Sequence, residues 1–596
     1  MAEGFLARYN DELAALRRRA SRFAEQFPKI AGRLRLGDDV ADDPHVERLV
    51  QSFAYSAARV RQKLDDELPE LTDGLLETLY PHYLAPIPSM SIVRFQPADT
   101  LATLSTVPRH AEMLAEPISG EACRFRTSQP VEIAPVTLES AALLGLPLKA
   151  PQLPAGGAAA CLRLTVRTNG NAGVGGIETT GLKRLRFHVA SPWRKASALL
   201  ELIVNHAVGV ALARHADDPD AIFMPADAVR QAGFAEDETI LPYPASSFVG
   251  YRLLTEFFAF PQKFLFFDVF GLDRFRGEKL DIYIYLDEAD QALERSVEAA
   301  DFELFATPVV NLFRQACEPI VIDGTRTEYR LLPDSRRQHT REIYAVDSVR
   351  LSARRGGDEV ACEPFFSRSL RGKSGSIYWQ TSRRFDADDR TGDIDIAFVD
   401  EGRHALGPRD LVASIDAVCL NRDLPTRLPF GGGHPRLQLA SGHEAVGGLA
   451  ALSPPTQPIR LVESEGRAWR LMSHLQLNHL SLFDRDGGAL KDILSLYAFR
   501  DAPETKLLID SICGLDARPS TARLANGGMV PGLDIAVDFD PATIDRPSAY
   551  LFGAILDRFF SLYASINSFT RLTVSIKGRS SPVARWPARA ADRPLL

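Results

Sequence analysis

Two narrow apolar seams near the start of this 596-residue chain limit its fold more tightly than any other feature. The first runs Tyr9, Leu13, Leu16, Ala20, Phe23 and Phe27, and stops at Pro28. The second runs Val46, Val50, Phe53, Ala57, Val60 and Leu64. Both step 4, 3, 4, 3, 4 along the chain. A strand would alternate with period two, and an ordinary surface helix would show a broader stripe. A seam this narrow is that of helices packed against other helices. Asp43 is placed to cap the second helix, and Pro44 stands at its first position, where the missing N–H costs nothing. Glu47, Arg48, Arg59, Arg61, Lys63, Asp65 and Asp66 fall off the seam. An N-terminal helix bundle is therefore expected. Its core, and the candidate partner interface, is Leu13, Leu16, Phe23, Val46, Val50, Phe53, Val60 and Leu64. An internal hairpin and an intermolecular bundle satisfy this periodicity equally well.

The rest of the chain is too long for one core, and roughly three or four domains are expected. The hydrophobic share of 45% and charged share of 24% are those of a soluble globular protein. A net charge of −8, spread along the chain, argues against nucleic-acid binding through phosphate neutralisation. Six isolated cysteines form no CxxC pair, so neither a zinc knuckle nor a disulfide framework is expected, and a reducing cytoplasm fits. The opening MAEGFLARYNDELAALRRR mixes acids with arginines where a signal peptide would need an apolar core. The best candidate span, ALLELIVNHAVGVALA (198–213), holds Glu201, Asn205 and His206. It is shorter than the ~20 residues a crossing needs, and it reads as a buried helix. No direct membrane insertion is expected.

The pattern implies an α+β, multidomain fold: a helical segment, then mainly β and mixed α/β domains. The expected divisions are 1–88 (helical), 89–335 (mixed, β-rich), 336–430 (β-rich) and 431–596 (α/β, with a tail). Pro81, Pro86 and Pro88 close the helical part, and SIVRFQ (91–96) opens the strands. CLRLTVRTNG (161–170) and LKRLRFHV (182–189) alternate, and the glycine-rich GNAGVGG (170–176) between them reads as a hairpin connection. From Phe257 to Phe270 seven phenylalanines crowd one stretch, read as a filled core rather than a sticky surface. KFLFFDVF is expected to be buried on both faces and KLDIYIYLD (279–287) on one. EIYAVDSVRLS (342–352) and GDIDIAFVD (392–400) read as strands. The Gly- and Pro-rich loop at 425–458 reads as a domain junction. Phe552, Ile555, Phe559, Leu562 and Ile566 mark a helix near the end.

Signatures of chemistry are weak. RGKSGS (371–376) lacks the first glycine of a phosphate loop, since Ser367 stands there. GNAGVGG has the wrong glycine order for a dinucleotide site. His474 and His479 are five apart, where zinc on a helix wants HExxH. Asp287, Glu288, Asp290 and Asp386, Asp388, Asp389 lack the register of a calcium loop and read as solvated acids. No G-x-S-x-G elbow is present. No catalytic, cofactor or metal residue is assigned, and no cofactor is expected.

Long strings carry a resemblance. DPHVERL (43–49), KLDDELPELTDGLLETLYPHYL (63–84) and PIPSMSIVRFQP (86–97) resemble the type VI secretion baseplate family TssF, also called VasA or ImpG. So do GYRLLTEFFAFPQKFLFFDVFGL (250–272), TPVVNLFRQACEPI (307–320), CLNRDLPTRLPFGGG (419–433), WRLMSHLQLNHLSL (469–482) and LYASINSFTRL (562–572). The resemblance implies a likeness to wedge proteins of contractile phage baseplates. It implies a structural role: two TssF copies joined to one TssG through N-terminal helices, with TssK linking toward the membrane complex. TssE would lead to the sheath, and six wedges would surround a VgrG hub. The protein would be cytoplasmic and drawn to the inner membrane through partners, where it would template the tail and transmit firing. Residue patterns alone leave open a metal-independent hydrolase of carbohydrate or envelope polymer, and a cytoplasmic assembly chaperone.

Overall fold

The computed structural model describes residues 9, 10, 13, 14, 16, 17, 20, 23, 29, 32, 43–59, 76 and 80 onward. Within the last span it leaves out 155–156, 170–174, 244–247, 324, 354–358, 366–376, 386–391, 401–410, 461–486, 500–501, 524–527, 565–567, 591–592 and 595–596. Two compact units divide the chain, Met1–Leu79 and Tyr80–Leu596.

In the first unit all the described residues from 9 to 32 are helical, and 44–59 is a continuous helix. Asp43 accepts from the His45 N–H at 2.9 Å, as its sequence position predicts. The Arg17 guanidinium meets the Glu47 carboxylate, so the two helices touch there. The expected bundle is not supported beyond this contact. Val60 and Leu64 lie outside the described residues.

The second unit is α+β and dominated by antiparallel strands. Its first sheet has the order Leu437–Leu439, Glu112–Ile118, Glu121–Thr127, Ala306–Val310, Met90–Pro97, Val446–Ala451. A five-stranded sheet centres on Lys279–Leu286, between Ala207–Ala213 and Ala160–Thr168. A four-stranded sheet runs Val229–Ala232, Phe266–Phe270, Arg184–Val189, Phe302–Leu304. An eight-stranded sheet is built on Glu342–Ala353 and Leu411–Leu420. Ile343, Val349, Leu351, Ile394, Ile396 and Phe398 supply its core, so the alternation in the sequence marks the buried face. Strands do not fill these sheets in chain order. Phe313–Ala316, Ile320–Ile322 and Glu328–Arg330 join the eight-stranded sheet, while Leu437–Leu439 and Val446–Ala451 return to the first. The loop expected as a plain junction therefore supplies two edge strands.

The last sheet holds a parallel pair, Met529–Phe539 with Phe569–Ile576, bridged by the helix Arg546–Tyr563. Asp545 caps that helix by accepting from Ser548 N–H at 3.0 Å. Its inner face meets the helix Val249–Ala259. Phe552 stacks on Phe257 with centroids 5.7 Å apart, and the Tyr563 and Tyr251 hydroxyls lie 2.9 Å apart. Phe257, Phe260, Phe264, Phe266 and Phe267 are buried, which makes the phenylalanine-rich stretch a core element.

Three local readings are corrected. Residues 198–213 do not form one helix: Trp193–Asn205 is helical, and Ala207–Ala213 is a central strand. An apolar run does not distinguish the two by itself, and pairing on both edges decides for the strand. GNAGVGG does not close a hairpin, because Ala160–Thr168 and Arg184–Val189 belong to different sheets. Lys279–Leu286 is buried on both faces, since Leu148, Ala150, Leu153 and Ala158 cover the Tyr283 and Tyr285 side.

Candidate functional site

The helix 44–59 presents two different faces. Ala54 and Ala58 are fully buried, four residues apart on one stripe. Glu47, Val50 and Gln51 flank them, half-buried. On the other side Leu49 is 70% exposed and Phe53 64% exposed. At ~100° per residue, Phe53 lies about 100° from Ala54 and about 140° from Ala58. Alanines on the inner stripe allow close helix approach, and the large apolar groups face out.

The expected interface residues therefore separate. Leu13 and Leu16 are half-buried on the first helix, and Phe23 is exposed. Val46 and Val50 are half-buried between the two faces, and Phe53 belongs to the outer one. Two contributors escaped the sequence reading. Leu49 joins Phe53 at i, i+4, and Glu47, placed only as a residue off the seam, is held by Arg17. The spacing of Leu49 to Phe53 was visible, but a single best-fitting seam does not report a second apolar face.

Elsewhere, charged groups that could suggest catalysis hold the fold together. His206 Nδ1 lies 2.6 Å from Asp287, the arrangement that orients a catalytic histidine. Its Nε2, however, faces Arg546 Nη2 at 2.6 Å and Asn205 at 3.2 Å, not a hydroxyl or thiol. Burial works to lower its pKa, and Glu201 and Asp287 more than offset this. The same Nε2 also lies 3.2 Å from the carboxylates of Glu201 and Glu288, so the ring sits within an ion-pair network. Arg546 also pairs with Glu288, and Asp290 caps the short helix Gln291–Glu294. The acidic run at 287–290 thus stays largely in solvent, as expected, while its members also pair with His206 and Arg546 and cap a short helix. His474, His479, residues 371–376 and the acids at 386–389 lie outside the described residues.

Among the described residues Asp557 is the one carboxyl whose pKa is driven far up. Burial pushes it to about 6, and Arg589, donating at 2.6 Å, draws it back only in part. Arginines, not a second carboxylate, are its electrostatic neighbours, so the paired acids of a glycosidase are not assembled around it. A folded-state pKa above the unfolded value means that the native state binds the proton more tightly. This group's contribution is thus fully present below about pH 4 and is lost as pH rises through about 6. Asp557→Asn should remove that slope. Relative to the variant, the native protein should lose melting temperature between pH 4.5 and 6.5; equal slopes would contradict the assignment. Among the described residues no group of three or more His, Cys, Asp or Glu is disposed to hold a metal, and no helix is long and apolar enough to cross a membrane.

Comparison with known proteins gives the context for the helical face. The family model "Type VI secretion system, TssF" matches residues 1–593. Type VI secretion system component TssF1 of Pseudomonas aeruginosa is 34% identical over 621 positions, covering 99% of each chain. A chain in a cryo-electron microscopy structure of a TssK–TssF–TssG baseplate subcomplex superposes with a TM-score of 0.74 at 27% identity. That match covers 92% of this chain and 99% of that one. A chain in a type VI secretion baseplate complex shares the fold, with a TM-score of 0.58 at 24% identity over 99% and 100% of the two chains. A match running almost from end to end, on a fold shared with a baseplate subunit, places this chain in the TssF family of the type VI secretion system.

Proposed function

We propose that this chain is a structural baseplate subunit whose N-terminal helices dock on TssG. The outward Leu49–Phe53 face carries the reading: large apolar groups stand in water on a helix whose inner stripe is already satisfied by alanines. Family membership supplies the kind of assembly that would cover them. In this reading the chain and a second TssF copy share one TssG, TssK attaches toward the membrane complex, and TssE leads to the sheath around the VgrG hub. The work is mechanical and needs no catalytic group or cofactor. The protein acts in the cytoplasm and reaches the inner membrane only through partners. Its contacts are with proteins, not nucleic acid or lipid.

Co-expression tests this. Made alone, the chain should self-associate through its free apolar face; made with TssG, it should run as one defined, soluble complex. A well-behaved monomer at micromolar concentration, indifferent to TssG, would refute the proposal. The mass of the particle purified from native cells separates a subunit from a chaperone, because a chaperone would be missing from it.

A further inference from the structure

Buried charges in folded proteins sit against an opposite charge or a full set of hydrogen-bond partners. Most here do. Lys263 has Glu256, Arg186 has Asp268 and Glu238, Arg341 has Glu121, and Arg460 has Glu342. Arg126 departs from the pattern. It lies on the strand Glu121–Thr127, opposite Glu112 on one neighbouring strand and Val310 on the other. It is 9% exposed, and its Nε is buried with no hydrogen-bond partner. Among the described residues no hydrogen bond or ion pair engages its guanidinium, and the register neighbour Glu112 does not close on it. Burial depresses its pKa, and Arg109 and Arg314 add to that against Tyr344 and Glu112.

The surroundings are arranged for an anion. Arg109 is tied down at two nitrogens, Nε donating to Ser128 O at 2.8 Å and Nη2 to Thr239 O at 2.9 Å. Arg314 Nε is 3.2 Å from Asp347. Beside them His110 holds a left-handed backbone, φ 65°, which is costly for a residue with a Cβ. Its N–H donates to Thr127 O at 2.9 Å. Burial, then Arg126, Arg109 and Arg314, lower the His110 pKa to about 4, so at neutral pH the ring is uncharged and keeps one N–H to donate. The neighbouring cations already have partners, which leaves one guanidinium fork for one planar oxyanion. A carboxylate fits that fork in bidentate fashion. A polyanion would need several free cations, and the chain as a whole carries −8.

We infer that Arg126, with His110 and Arg314 beside it, is a docking site for a carboxylate side chain of a neighbouring protein subunit. The inference rests on the assembly reading above but uses a different face from the N-terminal helices. Arg126→Met, which keeps the stem and removes the charge, tests it in the full chain, with purified TssG and TssK as probes. One binding step should weaken about tenfold or more, with Arg126→Lys intermediate. Without that subunit, the melting temperature should hold or rise, because an unpaired buried charge is gone. A lower melting temperature in the uncomplexed Arg126→Met protein would reveal a partner inside the chain and overturn the inference. So would stabilisation of the native protein alone by inorganic phosphate at fixed ionic strength, with subunit binding unchanged, since that outcome assigns a free oxyanion. Native binding equalled by Arg126→Met overturns this inference only. Failure of the native chain to bind either subunit overturns the assembly reading and this inference together.

Discussion

Phe53→Asp should abolish co-purification with TssG and eliminate baseplate foci in cells. Phe53 is 64% exposed in the chain by itself, so the substitution puts an aspartate in water and should barely disturb the isolated fold. In a bundle with a partner helix the same carboxylate would be stranded in an apolar seam. The lost packing alone should cost about 3–5 kcal/mol, by analogy with truncations of buried phenylalanine, and the unpaired charge adds to that. Residues beyond 90 should stay folded, because their cores are built from other residues. Arg59→Asp is the control: it is exposed and off the seam, so its effect should be slight. Thermal melting and pull-down on both variants decide the matter. Recovery of TssG at native yield with Phe53→Asp would place the bundle interface elsewhere.

Glu256→Ala should strongly destabilise the second unit. Glu256 is about 1% exposed, and one oxygen accepts from the backbone N–H groups of Ile240 and Leu241 at 2.9 and 3.0 Å. The other meets the Lys263 ammonium, itself 1% exposed. Removing the carboxylate orphans two amides and a buried cation together, a loss of about 3–5 kcal/mol. Burial holds the Lys263 pKa down even with Glu256 present. Without that carboxylate the lysine should shed its proton more readily in the folded state than in the unfolded one. The variant should then regain stability as pH rises above neutrality. Adding Lys263→Met should restore most of the loss. Denaturant midpoints of the TssG-bound protein at neutral and alkaline pH give the readout. A shift below ~1 kcal/mol, or a variant indifferent to pH, would show that the pair carries little.

How legible the protein was in its sequence depended on whether a pattern was local. The cap at Asp43, the helix marked by Phe552, Ile555, Phe559 and Leu562, and the alternating strands at 342–352 and 392–400 all follow from spacing, and all are present, while Ile566 lies outside the described residues. The crowded phenylalanines were correctly read as core. What failed depended on distant residues. Ala207–Ala213 became a strand because Lys279–Leu286 and Ile222–Pro225 bracket it, and no count within the segment reports that. Tyr283 and Tyr285 are covered by a loop more than a hundred residues earlier in the chain. At the candidate interface, periodicity found the helix 44–59 but merged its two faces into one seam. Arg126 gave no sequence signal at all, because an arginine's lack of a partner shows only once the fold surrounds it.

The first sheet has a consequence for how the protein is made. Ser91 donates its hydroxyl to the carbonyl of Ser453, a partner 362 residues away, and Met90–Pro97 ends up between Ala306–Val310 and Val446–Ala451. During synthesis the strand at 90–97 leaves the ribosome long before either neighbour exists. It must wait through most of translation with an unpaired edge and the apolar Ile92, Val93 and Phe95 uncovered, which invites pairing with other nascent chains. The eight-stranded sheet is complete once residue 420 has emerged, so it can fold while the first sheet is still lacking its last strands. Birth order is therefore inverted: the first strand of the second unit is among the last to be secured, and the yield of native protein depends on how long that strand is shielded.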